Sequence, residues 1–137
     1  MGDLCTAEHC DKVQVYRGNG TKTANNLRAD ILKTSGGRSV TLGYRIFLAD
    51  DDRSNFPVLA HEVYHTVQYE RWGATKYFAK GAGERIDEWT GGDPYNYKAD
   101  GRPFDQYGME QQGQIIQDYI RGFPAARSIP GVPKVGP

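Results

Sequence analysis

Apolar positions recur at three- and four-residue steps in two stretches of this chain. In the first, Val58, Leu59, Ala60, Val63, Tyr64 and Val67 form one wide face, the pattern of an amphipathic helix. Its start is marked by the polar run Asp50-Asp51-Asp52-Arg53-Ser54-Asn55, where Ser54 or Asn55 can cap. Pro57 falls in the first turn, where a missing N–H costs nothing. The pattern ends at Trp72-Gly73, with Gly73 a natural stop. The second stretch runs from Tyr107 to Ile120, where Met109, Gln112 or Gly113, Ile116, and Tyr119 with Ile120 recur at the same steps.

The remaining segments read as shorter elements. Val13-Gln14-Val15-Tyr16 predicts a strand, closed by Arg17-Gly18-Asn19-Gly20. Thr23 to Lys33 predicts a helix, because Leu27, Ile31 and Leu32 share a face and Gly36-Gly37 follows. Thr41 to Leu48 predicts one strand with Gly43 inside it, marking a bulge or a close backbone approach. Lys76 to Trp89 is helical or turn-rich, broken by Gly81 and Gly83. Gly91 to Asp105 is a long loop of the kind that is functional or mobile. After Gly122 the density of Pro and Gly predicts a tail without regular structure, a linker or extended arm. The expected organisation is an N-terminal Cys-containing segment (1–12), one domain (13–122) and a tail (123–137).

Composition narrows the class. A chain of 137 residues can bury one core, and 38% hydrophobic content with 17 Gly predicts long loops around a compact centre. Nine Tyr can make up core volume. Net charge is formally zero and no basic run stands out, which argues against a nucleic-acid surface. No apolar run approaches the roughly 20 residues of a membrane span, and no signal-peptide pattern opens the chain. Cys5 and Cys10 are the only cysteines. A local disulfide is preferred over two free thiols and would indicate an oxidising compartment. With His9 they do not match a zinc-finger spacing.

The candidate chemistry lies in the first helix, as His61-Glu62-Val63-Tyr64-His65. Residues i and i+4 share a helix face, so His61 and His65 can point at one ion. Glu62 is rotated by about 100° and can reach a water there as a general base. Two imidazoles suit zinc and need a third protein ligand plus an open position for catalysis. Glu110, near the start of the second helix, is the strongest candidate for that ligand; its other reading is a first-turn acid favoured by the helix dipole.

These residues resemble a known family. Val13-Gln14-Val15-Tyr16, Ser39 to Leu48, Leu59-Ala60-His61-Glu62 with His65 and Gln68, Asp93-Pro94-Tyr95-Asn96-Tyr97, and Met109-Glu110-Gln111-Gln112 look like the small gluzincin-type domains, the minigluzincins. Such H-E-x-x-H-x-x-Q domains are common in bacterial injection-system and toxin-associated proteins. The resemblance covers residues 13 to 120. It implies a zincin-like α+β fold, mainly helical with a short strand layer, a Glu third ligand on a second helix, and a strand beside the active-site helix that pairs with extended substrates. One departure matters: larger gluzincins place an Asp four residues after the ligand Glu to orient a histidine. Here that position is Gln114, and the nearest helical acid is Asp118.

The resulting expectation is a monomeric zinc metallopeptidase acting on a peptide or protein substrate. His61, His65 and Glu110 hold Zn²⁺, Glu62 moves the proton, and Tyr95 or Tyr97 from the long loop stabilises the oxyanion; packing roles for both tyrosines remain open. The resemblance adds a secretion or toxin partner and a secreted or exported bacterial protein. The competing expectation is a non-catalytic zincin-like module that keeps the metal as a scaffold for a partner. Intact Glu62 argues against it, because a structural site has no use for that acid.

Overall fold

The computed structural model describes residues 3–17, 39–49, 52, 54–89 and 91–134. The predicted helix at Thr23 to Lys33 lies outside them. Among the described residues, five helices and a three-stranded sheet give an α+β fold that is mostly helical. In chain order these are α1 (Ala7–Lys12), β1 (Gln14–Arg17), β2 (Val40–Leu42), β3 (Arg45–Leu48), α2 (Phe56–Trp72), α3 (Ala74–Trp89), α4 (Met109–Arg121) and α5 (Pro124–Arg127). A 3₁₀ turn at Phe104–Gln106 precedes α4.

Helix α2 is the axis of the molecule. Asn55 caps it, its side chain accepting from the Val58 N–H at 3.2 Å. Gly73 ends it at φ +81°, a conformation that L side chains rarely adopt. Every residue from Ala60 to Gln68 is buried. An amphipathic stripe would bury only one side. Here α4, α3 and strands β2 and β3 all pack against α2, so its polar residues are enclosed as well. Ile46, Leu48, Ala60, Val63, Ile115 and Ile116 form the centre of the core.

The sheet corrects one expectation. Thr41 to Leu48 is not a single strand but a hairpin, with β2 antiparallel to β3 and Leu42 opposite Arg45. Gly43, at φ +64°, and Tyr44 make the two-residue turn, where a first-position Gly fits the strand twist. Strand β1 lies parallel to β3, with Val15 opposite Ile46. Among the described residues, the order β1-β3-β2 places β2 at an edge, against α2.

Two further expectations are corrected. Gly81 and Gly83 do not break α3, which runs unbroken from Ala74 to Trp89. A Cβ at Gly81 would stand 3.9 Å from the Met109 side chain, an ordinary van der Waals contact. The segment after Gly122 is not a free arm. It forms α5 and buries Ala126 and Ile129 in the core. Backbone bonds from Phe104 N to Pro130 O (2.9 Å) and Asp3 N to Lys134 O (2.7 Å) tie it down. At the other end, a Cys5–Cys10 disulfide closes the loop around α1. His9 is buried between Thr66 (2.7 Å) and Glu70 (2.6 Å) on α2. Among the described residues, no helix is long and apolar enough to cross a membrane.

Candidate metal centre

His61 and His65 lie one turn apart on the buried face of α2, with Nε2 atoms 3.1 Å from each other. Glu110, in the first turn of α4, meets them from across the helix pair. Its Oε1 touches Nε2 of His65 and lies 3.6 Å from Nε2 of His61. Oε2 of Glu62 is 3.9 Å from Nε2 of His61. The structure thus brings together four of the six candidate residues read from the sequence, and His61, Glu62 and His65 form a buried group that could hold a metal ion.

A chain of hydrogen bonds sets the tautomer of His65. Backbone carbonyls can only accept. Gln112 therefore turns its amide nitrogen to the Tyr107 carbonyl (2.9 Å) and presents Oε1 to Gln68. Gln68 donates through Nε2 to that oxygen (2.8 Å) and to the Met109 carbonyl (3.1 Å). Its own Oε1 is left facing Nδ1 of His65 at 2.7 Å. An acceptor there needs the proton on Nδ1, so neutral His65 carries its lone pair on Nε2, toward His61 and Glu110.

Nε2 of neutral His65, Oε1 of Glu110 and Nε2 of His61 then face one point, the last as a third acceptor only when the His61 proton sits on Nδ1. Oε1 of Glu110 is buried and has no hydrogen-bond donor among the described residues; it meets only the imidazole nitrogens. Such acceptors repel one another unless a cation lies among them. A proton can serve. Burial opposes a charged His65, but the Glu110 and Glu62 carboxylates outweigh it and raise the imidazole to about 10. Burial opposes a charged Glu110 too, yet the two imidazoles hold its carboxyl well below the usual range. A metal ion meets the same need, and two imidazoles with one carboxylate are a donor set that fits zinc.

Glu62 is also fully enclosed, and burial pushes its carboxyl above the usual range against the pull of the two histidines. The Thr41 hydroxyl lies 3.0 Å from Oε1 of Glu62 and 3.0 Å from its carbonyl oxygen. His61 is oriented by Gln117, whose amide is 2.9 Å from Nδ1. With its oxygen toward the ring, Gln117 accepts from Nδ1 and frees Nε2 for a ligand role. Turned over, it donates to Nδ1 and accepts from Arg121 at 3.0 Å. Metal binding requires the first orientation, and the Arg121 guanidinium favours the second.

The position four residues after Glu110 does not orient a histidine. Gln114 donates instead to Oδ1 of Asp118 (2.9 Å), whose Oδ2 accepts from the Tyr97 hydroxyl (2.7 Å). The Tyr97 proton is thereby committed away from the histidines. The ring of Tyr95 lies 6.2 Å from that of His61.

Gly113, Thr41, Gln117 and Glu84 also build the site and were not assigned a role from sequence. A Cβ at Gly113 would lie 2.6 Å from Nε2 and Cδ2 of His61, so only glycine lets the ring rest against α4. A glycine inside a helical pattern, three residues after the candidate ligand, was the available signal. Glu84 caps α4 from α3: its carboxylate accepts from the Glu110 N–H at 3.1 Å, where Gly108 has no side chain to offer. Burial, then the Glu110 charge, raises Glu84 to about 7. No protein-family model, no curated protein and no solved structure matches the chain.

Proposed function

We propose that this is a zincin-like zinc-dependent peptidase in which His61, His65 and Glu110 hold one Zn²⁺ and Glu62 is the general base. One observation carries the reading: a fixed hydrogen-bond chain directs the Nδ1 proton of His65 to Gln68, so the neutral ring turns its Nε2 lone pair to a second imidazole and to a buried Glu110 oxygen that meets only these two rings. Zinc bound there supplies Lewis acidity, polarising a carbonyl and lowering the pKa of water toward about 7.

The chain's own residues do the rest. Glu62 takes a proton from the attacking water and returns it to the leaving amine. Its enclosure keeps that carboxylate in a low-dielectric setting, where proton affinity is raised. The Tyr95 phenol is assigned to the developing oxyanion because its ring lies 6.2 Å from that of His61. Strand β2, at an edge of the sheet and against α2, is where an extended peptide would pair. The Cys5–Cys10 disulfide supports an exported protein.

Metal analysis tests the ligand set. Protein purified without added metal, then loaded with zinc and dialysed, should hold one ion per chain. His65→Ala should lose it, and Glu110→Gln should weaken it by at least about tenfold. Unchanged stoichiometry in His65→Ala would remove the site, and unchanged affinity in Glu110→Gln would return Glu110 to a helix-start acid.

A further inference from the structure

Glu62 has two carboxylate oxygens, and the structure treats them differently. Oε1 lies 3.0 Å from the hydroxyl of Thr41, on β2. Oε2 is the oxygen 3.9 Å from Nε2 of His61. The Thr41 hydroxyl has a single proton and two acceptors at equal distance, the carboxylate and the Glu62 carbonyl. That carbonyl is mid-helix, where the N–H four residues on serves it. The carboxylate is the charged acceptor and makes the stronger bond.

Thr41 is itself held. It is buried, paired with Ile46 in the hairpin, and its carbonyl accepts from the buried Tyr77 hydroxyl of α3 at 3.2 Å. A hydrogen-bonded line therefore runs from α3 through the edge strand to the carboxylate on α2. We propose that Thr41 is a positioning residue that pins Oε1 of Glu62 and so reserves Oε2 for proton transfer. This rests on the peptidase reading and extends it. The hydroxyl that orients the base is carried by β2, so a shift of β2 moves Glu62.

The test uses the full chain loaded with zinc, and separately with Co²⁺, in wild type, Thr41→Val, Thr41→Ser, Glu62→Gln and the Thr41→Val/Glu62→Gln pair. Thr41→Val keeps the shape and removes the hydroxyl; Thr41→Ala replaces it if that variant does not fold. Metal content should stay at one per chain throughout. In Thr41→Val, kcat should fall at least about tenfold with KM within about twofold, and Thr41→Ser should recover to within about threefold of wild type. The double variant should be no slower than Glu62→Gln, because Thr41 acts through that carboxylate. Acetohydroxamate binding to the Co²⁺ protein, read by visible absorption, gives a second readout without turnover. Thr41→Val and Glu62→Gln should both weaken it by about fivefold or more, and Thr41→Ser should not. Unchanged kcat in Thr41→Val, no recovery in Thr41→Ser, or a further loss in the double variant would overturn the assignment. If wild type hydrolyses no peptide, the peptidase reading fails and the acetohydroxamate series decides Thr41 alone, equal affinities overturning it. Absence of acetohydroxamate binding to wild type would overturn both.

Discussion

A Cβ added to Gly113 would lie 2.6 Å from Nε2 of His61. Alanine is ordinarily the better helix residue by about 1 kcal/mol, and at Gly83 of α3, where a Cβ meets nothing within 4 Å, that preference should hold. Gly83→Ala is therefore expected to raise stability by roughly 0.5–1 kcal/mol in denaturant melts, with metal affinity unaltered. Gly113→Ala should displace the imidazole and lower metal affinity at least about tenfold, read by competition with a chelating dye. Equal affinities in the two variants would contradict the cradle. Glu84 offers a pH test. Its carboxyl is raised from 4.5 to about 7 by burial and by Glu110. A group raised on folding contributes stability that is full below its unfolded value and is lost as pH rises through its folded value. In metal-free protein, Glu84→Gln should remove that loss while keeping an acceptor for the Glu110 N–H. Its Tm relative to wild type should climb between about pH 4.5 and about pH 8. A constant difference across that range would show that the carboxyl is not raised.

Helices α2 and α4 were legible in the sequence because each carries its own punctuation. Asn55 with Pro57 opens α2 and Gly73 closes it, and the three- and four-residue steps of α4 place Glu110 in its first turn. What escaped reading depends on partners distant in the chain. Gly43 inside an apolar run marks a bulge or a turn equally well, and only the pairing of Leu42 with Arg45 selects the hairpin. Thr41 and Gln117 look like ordinary polar positions until α2 meets β2 on one side and α4 on the other. The segment after Gly122 shows no periodicity, yet Ala126 and Ile129 find a core already built by Tyr64, Phe104 and Ile116. That last element gives a direct test. Ile129 is 5% exposed, and Ile129→Ala should cost about 2–5 kcal/mol in urea unfolding. A loss under 0.5 kcal/mol, the size of ordinary surface substitutions, would show that the tail does not pack as described.

The whole molecule encloses a cluster of like-signed acceptors at its centre, braced from three sides. Strand β2 holds Glu62 through Thr41, α4 supplies Glu110 and the Gln112 end of the hydrogen-bond chain, and α3 caps the start of α4 through Glu84. Burial without a cation is unfavourable for such a group, so binding of a metal by the folded state alone should also stabilise the fold. The central claim, that this enclosure is a hydrolytic site rather than a structural one, turns on Glu62. Zinc content and peptide-library hydrolysis should be measured side by side for wild type and Glu62→Gln, which preserves shape but cannot take up the proton. One zinc in each and a loss of at least about a hundredfold in kcat for the variant are expected. Zinc retained with hydrolysis equal to wild type would contradict the claim.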